Sequence, residues 1–223
     1  MNWQAVVLTA QLATLTACIL MVVGIPMALW LVFSPRRWKF LIEALVGMPL
    51  VLPPTVLGFY LLVAFGTSTP FGRWYRALTG STLAFSFAGL LVASVLYSLP
   101  FAVNPIAAAV RGVDARLIDA AHTLGAGKWK TYRRVVLPIA WPGLLTGFVM
   151  SFAHTVGEFG VVLMVGGNIP GVTRTLSIDI YDRVQALDYA SANQTALALL
   201  IFSYGLLCVV YLLNYKPSLW SGQ

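Results

Sequence analysis

Charged side chains are scarce in this sequence of 223 residues. Asp, Glu, Lys and Arg together make up 9% of the chain, whereas soluble domains average about 25%. So few charges cannot cover a globular surface in water, which excludes a soluble domain. Hydrophobic residues make up 59%, and several apolar runs reach the roughly 20 residues that a membrane-spanning helix needs. The composition predicts an all-α polytopic membrane protein with a single transmembrane domain, residues 1–223.

The residues that catalysis and metal binding need are also scarce. The two cysteines, Cys18 and Cys208, lie in apolar runs without metal-ligand spacing, and we expect them to be small buried hydrophobic residues. The sequence contains no Ser, His and Asp set, no metal-ligand cluster and no cofactor motif. It therefore predicts no catalytic residue, no metal site and no cofactor, and it argues against an intramembrane enzyme.

A phosphate-binding loop for ATP is missing as well. Such a loop needs Gly, four residues, Gly-Lys and then Ser or Thr. Here Gly127-Lys128 is followed by Trp129, and His122 occupies the position of the first Gly. If ATP drives this protein, a separate subunit must bind it.

Five apolar runs are long enough to span a membrane as helices. The predicted spans are approximately residues 5–33, 41–65, 83–110, 139–165 and 190–215. Prolines lie inside the first three runs, and Pro53 and Pro54 are expected to bend the second, because proline removes an N–H donor and breaks helix geometry.

The basic residues between these spans predict the orientation of the chain, since Lys and Arg accumulate on the cytoplasmic side. The net charge of +7 therefore reflects membrane topology and not nucleic-acid binding. With five spans, ten basic residues fall on one side of the membrane and four on the other. The side with ten is assigned to the cytoplasm, which places the N-terminus outside and the C-terminus in the cytoplasm of a bacterial inner membrane. The ten basic residues of the cytoplasmic side are Arg36, Arg37, Lys39, Arg111, Arg116, Lys128, Lys130, Arg133, Arg134 and Lys216.

A short amphipathic helix is predicted in the first outer loop. Phe71, Trp74, Tyr75 and Leu78 recur at the spacing of one helix face. We expect this helix to lie on the outer membrane surface with its aromatic rings at the headgroup level.

The long cytoplasmic loop contains a second amphipathic pattern. Leu117, Ala120, Ala121 and Leu124 share one helix face, and Gly125 follows as a turn residue. Small side chains allow the backbone of another protein to come close, and glycine permits a sharp turn. Periodicity alone favours a docking element and an ordinary amphipathic loop equally.

The spacing of the loop resembles a signature of the permease subunits of ABC importers. Asp119-Ala120-Ala121 is followed after three residues by Gly125, after nine more by Val135, and then by Leu137-Pro138. Asp replaces Glu and Val replaces Ile, and every spacing matches. The resemblance implies that this loop, with Leu124 on its apolar face, is a coupling helix that docks on a cytoplasmic ATPase subunit.

Further segments resemble the molybdate branch of these permeases. They are Pro49 to Gly58, Thr123 to Trp129, Gly157-Glu158-Phe159-Gly160, and Asn168-Ile169-Pro170-Gly171 followed by Thr173-Arg174-Thr175. Sulfate and tungstate permeases share much of this pattern, so these oxyanions remain alternative substrates.

The resemblance implies a complete transport assembly of the type I ABC importer kind. We expect a homodimer that encloses the pathway, two ATPase subunits on the cytoplasmic side, and a periplasmic binding protein that delivers molybdate. Transport would proceed by alternating access. A secondary anion transporter without an ATPase is the main rival, and it would need intramembrane ionisable residues for ion coupling.

Two ionisable residues lie inside the fourth predicted span, His154 and Glu158. Such residues are functional candidates by default, although a carboxylate repels an oxyanion. Glu158 is therefore either part of the pathway or gate, or a structural residue bonded to His154 or to free backbone groups. The resemblance implies that bent helices at the subunit interface line the pathway and form its gate, which assigns Pro53, Pro54 and Thr55 to that role.

The loop after the Gly-Asn-Ile-Pro-Gly turn offers candidates for an outer contact. Asn168, Thr173, Arg174 and Thr175 combine amide, hydroxyl and guanidinium donors that suit an oxyanion. The same residues would suit the docking of a binding protein equally well. They are also typical of an ordinary solvated loop.

Overall fold

A computed structural model describes residues 2–214 of the protein, and the side chains of residues 2–212. Within this part the chain forms α-helices, one π-helical turn and no strand, which confirms the predicted all-α class. The helices are α1 (Trp3–Phe33), α2 (Lys39–Val51), α3 (Pro54–Phe65), α4 (Pro70–Thr79), α5 (Phe87–Arg111), α6 (Ala115–Thr123), α7 (Lys128–Thr131), α8 (Leu137–Ile139), α9 (Trp141–Gly157), α10 (Gly160–Gly166), α11 (Leu176–Gln185) and α12 (Tyr189–Asn214), and the π-helical turn is Tyr132–Val136.

Three of these helices, α1, α5 and α12, are each long and apolar enough to cross a membrane. Two bent pairs bring the number to five if each pair counts as one span. The first pair, α2 and α3, bends by 112° at Leu52-Pro53, where the extended backbone of Pro53 (ψ 135°) ends helical geometry. The predicted bend at Pro53 and Pro54 is confirmed.

The fourth span differs from its prediction of residues 139–165. The Lys128–Ile139 segment and α9 meet at an angle of 72°, and the straight part of the span ends at Gly157. After two intervening residues the chain starts α10 at Gly160 as a separate helix. Periodicity did not reveal these breaks, because the apolar pattern continues across them.

The core of the fold consists of α1, α5 and α9 packed side by side. Leu12 and Leu20 of α1 are fully buried, as is Ile106 of α5. Gly143 and Gly147 of α9 lie directly against α5: a Cβ atom at Gly143 would stand 2.1 Å from the Ala109 Cβ, and one at Gly147 would stand 2.8 Å from the Ala102 carbonyl oxygen. The two glycines therefore allow the α5–α9 contact.

Both cysteines are exposed on the helix surfaces, so the prediction that they are buried within the protein was wrong. Cys18 lies on α1 and Cys208 on α12. In a chain of this composition the outward faces of the spans are as apolar as the core, and an apolar run therefore does not distinguish burial in protein from exposure to lipid.

Hydrogen bonds at the two ends of the bundle agree with the predicted grouping of loops. The Asn2 side chain donates to Asp179 over 3.2 Å, which places the start of α1 beside α11. At the other end Arg111 forms an ion pair with Glu43 over 3.0 Å. The loops assigned to one side by charge are thus neighbours in space.

Candidate functional site

The amphipathic helix predicted in the long loop is present as α6. Its first turn is capped by Asp114, whose carboxylate accepts a hydrogen bond from the Arg116 backbone N–H over 2.9 Å. The Arg116 guanidinium bonds the same carboxylate and keeps the pKa of Asp114 below its usual value. Gly125 ends the segment with φ +78°, and the Ala126 N–H closes the turn on the Ala121 carbonyl oxygen over 2.9 Å. Only glycine adopts this backbone readily.

None of the residues of α6 is buried. Asp119 and Ala120 are exposed, Ala121 is half-buried, and the Leu124 side chain is 87% exposed. An amphipathic helix that belonged to the protein's own core would turn its apolar face inward. The apolar face of α6 instead lies open at the basic end of the molecule, in the arrangement that a helix-in-groove contact with a partner uses.

The later part of the motif anchors the loop to the bundle. Val136 is fully buried, and Leu137 packs against the same core as α1 and α5, whereas Pro138 is exposed. Pro138 lies in α8, ahead of the bend at Ala140 that precedes α9. A short, packed segment thus connects α6 to the start of α9.

The break between α2 and α3 faces a second break in the chain. A Cβ at Gly160 would stand 2.7 Å from the Pro54 side chain, and one at Gly58 would stand 2.8 Å from Met164. The α3 and α10 helices therefore pack closely through glycines on both sides. Pro53 and Thr55 are exposed, which leaves the predicted gate residues accessible on the outside of this contact.

Glu158 occupies the break between α9 and α10 and is only 4% exposed. Neither carboxylate oxygen has a hydrogen-bond partner within 3.5 Å among the described residues, and the buried Ser94 hydroxyl lies near enough to interact weakly with the carboxyl group. The expected bond to His154 is absent, because the Nδ1 atom of His154 pairs with the Ser98 hydroxyl over 2.9 Å. The His154 ring stacks on the Phe101 ring, with the ring centroids 3.9 Å apart.

We expect Glu158→Leu to stabilise the isolated protein. An unsatisfied buried polar group costs about 1–3 kcal/mol, and an apolar replacement of similar size removes that cost. Thermal unfolding in detergent would measure the change, with Glu158→Gln as the isosteric comparison. A lower melting temperature for Glu158→Leu would contradict the expectation and would indicate a partner for the carboxyl group.

The outer candidates lie in a network of hydrogen bonds and ion pairs. The Arg174 guanidinium donates to Asn168 over 2.6 Å and forms an ion pair with Asp182 over 3.2 Å. Thr173 is fully buried, and its hydroxyl donates to the Gly166 carbonyl over 2.7 Å. Thr175 is also buried and shares a hydrogen bond with Ser177. Among the four candidates, Arg174 and Asn168 keep partial access to solvent.

A second ion-pair network on α11 was missing from the predictions. Arg183 bonds Asp179 over 2.8 Å and lies 3.7 Å from Asp188, and the bond to Asp179 raises the pKa of Arg183. The spacing of Asp179 and Arg183, four residues apart on a helix, is a signal that could have identified this pair. Because Asp179 also accepts from Asn2, the network ties α11 to the start of α1.

Comparisons with known proteins agree with this geometry. Residues 20–216 match the family described as binding-protein-dependent transport system inner membrane component. The chain is 51% identical over 207 residues to the molybdenum transport system permease protein ModB of Azotobacter vinelandii, covering 93% of this chain and 92% of that protein. It is 39% identical to ModB of Escherichia coli K12, covering 82% and 80% respectively.

A solved structure shares the fold at low sequence identity. The inward-facing MetNI methionine ABC transporter aligns with a TM-score of 0.72 at 19% identity, covering 96% of this chain and 95% of the other. At this identity the likeness concerns the arrangement of helices alone. This likeness supports the interpretation that the bent helix pairs belong to the fold and are not peculiar to this chain.

Proposed function

The chain belongs to the binding-protein-dependent inner membrane components of transport systems, and on that premise we propose the residues and partners through which it works. It is the permease subunit of a molybdate ABC importer, and it is a transport subunit and not an enzyme. Proteins of this family work with ATPase subunits and a substrate-binding protein. For this chain, we assign the ATPase contact to α6 and Gly125, and molybdate delivery to a periplasmic binding protein.

The observation that carries the docking assignment is the exposed apolar face of α6. Leu124 is 87% exposed, Leu117 is 48% exposed, and no residue of the helix is buried. The sequence has no phosphate-binding loop, so the ATP that drives import acts on a different chain. A surface helix joined rigidly to a membrane span is a suitable place for that chain to transmit its movement.

A homodimer is the second part of the proposal. The α2 and α3 helices bury little of their surface in the fold, and large apolar side chains such as Val51, Phe59 and Tyr60 are 86%, 50% and 66% exposed. One copy presents the bent pair on its outside and does not enclose a channel with it. Two copies facing each other across α2 and α3 would surround a path that passes Pro53, Pro54 and Thr55.

The proposed orientation places the α6 end in the cytoplasm and the α11 end in the periplasm. Basic residues concentrate at the α6 end, and the positive-inside rule assigns that end to the cytoplasm of the bacterial inner membrane. The N-terminus then lies outside. Lys216 and the C-terminus, which the prediction places inside, lie outside the described residues.

Alternating access follows from these parts. Closure of the ATPase pair would move the two α6 helices, and the packed segment at Val136 and Leu137 would carry that movement to α9. The breaks at Pro53 and Glu158 would then allow the permease halves to rock between inward-facing and outward-facing states. The energy reaches the pathway as a coupling between two sites, without a chemical step in this chain.

We expect Arg174 and Asn168 to serve as the outer contact for the anion. If so, Arg174→Gln removes a charge-assisted hydrogen bond and raises the half-saturation concentration for molybdate about tenfold. Asp182→Asn releases the same guanidinium from its ion pair and lowers that concentration. Uptake kinetics at several molybdate concentrations would measure both. A change in thermal stability with unchanged half-saturation in both variants would limit Arg174 to a structural role.

Competition during uptake tests the substrate. The permease, its ATPase subunit and its binding protein are reconstituted in vesicles, and labelled molybdate is followed with tungstate or sulfate as competitor. A molybdate importer should take up molybdate in an ATP-dependent manner and resist sulfate in large excess. Strong inhibition by sulfate at low concentration would assign the chain to sulfate transport instead.

A further inference from the structure

A groove lined mainly by apolar and aromatic side chains, with Arg36 among them, opens at the C-terminal end of α1. It has a volume of about 380 Å³ and is lined by Pro26, Leu29, Phe33, Arg36, Trp129 and Tyr132. One wall is the last two turns of α1, which is apolar, and the other is the segment that follows α6. Phe33 and Tyr132 stack across the base of the groove, with ring centroids 4.9 Å apart. The groove thus joins a membrane span to the docking loop.

The position of the groove corresponds to the edge of the bilayer. The apolar run of α1 ends at Phe33, and the side chains around the opening include Trp38 and Trp129, which are 46% and 72% exposed. Exposed tryptophans at the end of a span are typical of the headgroup level, where the ring is half in lipid and half in water. The groove therefore opens toward phospholipid headgroups, with an apolar wall that continues toward the acyl chains.

The charge around the opening is positive and is not neutralised within the protein. Among the described residues, none of the ion pairs involves Arg36, Arg37, Lys128, Lys130, Arg133 or Arg134. The guanidinium of Arg36 lies 5.5 Å from the centre of the Trp38 ring, which holds it at the opening. Arg133 is exposed and lies in the π-helical turn, directly after Tyr132, which lines the groove.

In the described part of the chain no acidic side chain lines the groove, and two of the acidic residues at this end are already paired. Glu43 pairs with Arg111 and Asp114 with Arg116, while Lys39 donates to the Leu31 carbonyl and satisfies the end of α1. Arg36 is thus left without an internal partner. An anion is the occupant that fits the charge, and one with an apolar extension fits the wall of α1.

We infer that this groove binds an anionic phospholipid of the same leaflet, with its phosphate between Arg36 and Arg133 and its glycerol and upper chains along Leu29 and Phe33. The bound lipid bridges α1 and the segment that carries the docking helix. Its presence favours the packed arrangement that transmits movement from α6 to α9. The inference concerns lipid binding, and it does not depend on which oxyanion the protein transports.

Fluorescence quenching by brominated lipids tests the site. The complete transporter is placed in nanodiscs of phosphatidylcholine mixed with brominated phosphatidylglycerol or, in a parallel sample, with brominated phosphatidylcholine. The difference between the wild type and Trp129→Phe isolates the signal of Trp129. We expect brominated phosphatidylglycerol to quench that signal more strongly at the same mole fraction.

Charge removal at and away from the groove separates a site from a general surface effect. Arg36→Gln combined with Arg133→Gln should lower the preference for phosphatidylglycerol, by about fivefold for each arginine removed. Arg73→Gln with Arg76→Gln removes two exposed arginines from α4 at the other end and should leave the preference unchanged. All four side chains are exposed, so the variants are expected to fold.

Three results would overturn the inference. Equal quenching by the two brominated lipids would show that the groove does not select charge. Displacement of the lipid by soluble glycerol phosphate would show that the site binds a free anion and does not require a lipid. Quenching seen in the isolated permease and lost in the complete transporter would show that a protein partner, and not lipid, fills the groove.

Discussion

Gly125→Arg is expected to abolish ATP-dependent uptake while the permease remains in the membrane. Gly125 has φ +78° and no neighbouring atom within 4 Å of a Cβ placed on it, so a side chain meets no clash within the chain. The replacement has two effects: backbone strain of about 1–2 kcal/mol, and a long charged side chain beside the exposed face of α6. The second effect should reduce capture of the ATPase subunit by at least about thirtyfold, as expected for a central interface residue.

Gly80 provides a matched control for the backbone strain. It ends α4 at the opposite end of the molecule, has φ +73° and likewise has no atom within 4 Å of a Cβ placed on it. Gly80→Arg should therefore lose a similar amount of stability and keep full ATPase capture and uptake. If Gly125→Arg captured the ATPase as well as Gly80→Arg does, α6 would not be the docking element.

Gly143→Ala and Gly147→Ala should each destabilise the fold strongly, although each adds one methyl group. At Gly143 the new Cβ would stand 2.1 Å from the Ala109 Cβ and 3.0 Å from the Pro105 carbonyl oxygen, and at Gly147 it would stand 2.8 Å from the Ala102 carbonyl oxygen. These clashes can be relieved only if α5 and α9 move apart, because backbone atoms and a Cβ atom cannot rotate away. Overpacking of this kind costs about 1–3 kcal/mol, and we expect the double variant to lose folded protein entirely.

Gly205→Ala is the control for this prediction. Gly205 lies within α12, and no neighbouring atom lies within 4 Å of a Cβ placed on it, so the substitution adds helix propensity without a clash. Thermal unfolding in detergent should therefore give a lower midpoint for both α9 variants and an unchanged or higher midpoint for Gly205→Ala. Equal midpoints for all three would show that the α5–α9 contact is looser than described.

The sequence predicted the features that depend on local pattern. Hydrophobic run length located the spans, proline chemistry located the bend at Pro53, and helical spacing located both α4 and α6. The turn at Gly125 followed from glycine's freedom at positive φ. Each of these properties is determined by residues close together in the chain, which is why one sequence is sufficient for them.

Features that depend on contacts between distant residues were missed or wrong. The bend before α9 and the separate α10 lie within one predicted span, and Cys18 was assigned to the protein interior because its apolar neighbours do not distinguish protein from lipid. Arg174 was predicted from its donors alone, whereas its partner Asp182 lies eight residues further on, within α11. The bond of His154 to Ser98 joins residues 56 positions apart, and no periodicity predicts such a pair.

The central proposal is that this permease takes its energy from a separate ATPase through α6. Molybdate accumulation in reconstituted vesicles tests it most directly, with the permease alone or with its ATPase subunit and binding protein. We expect accumulation only in the complete system with ATP, and none for the permease alone under an imposed proton or sodium gradient. Gradient-driven accumulation by the permease alone would contradict the proposal.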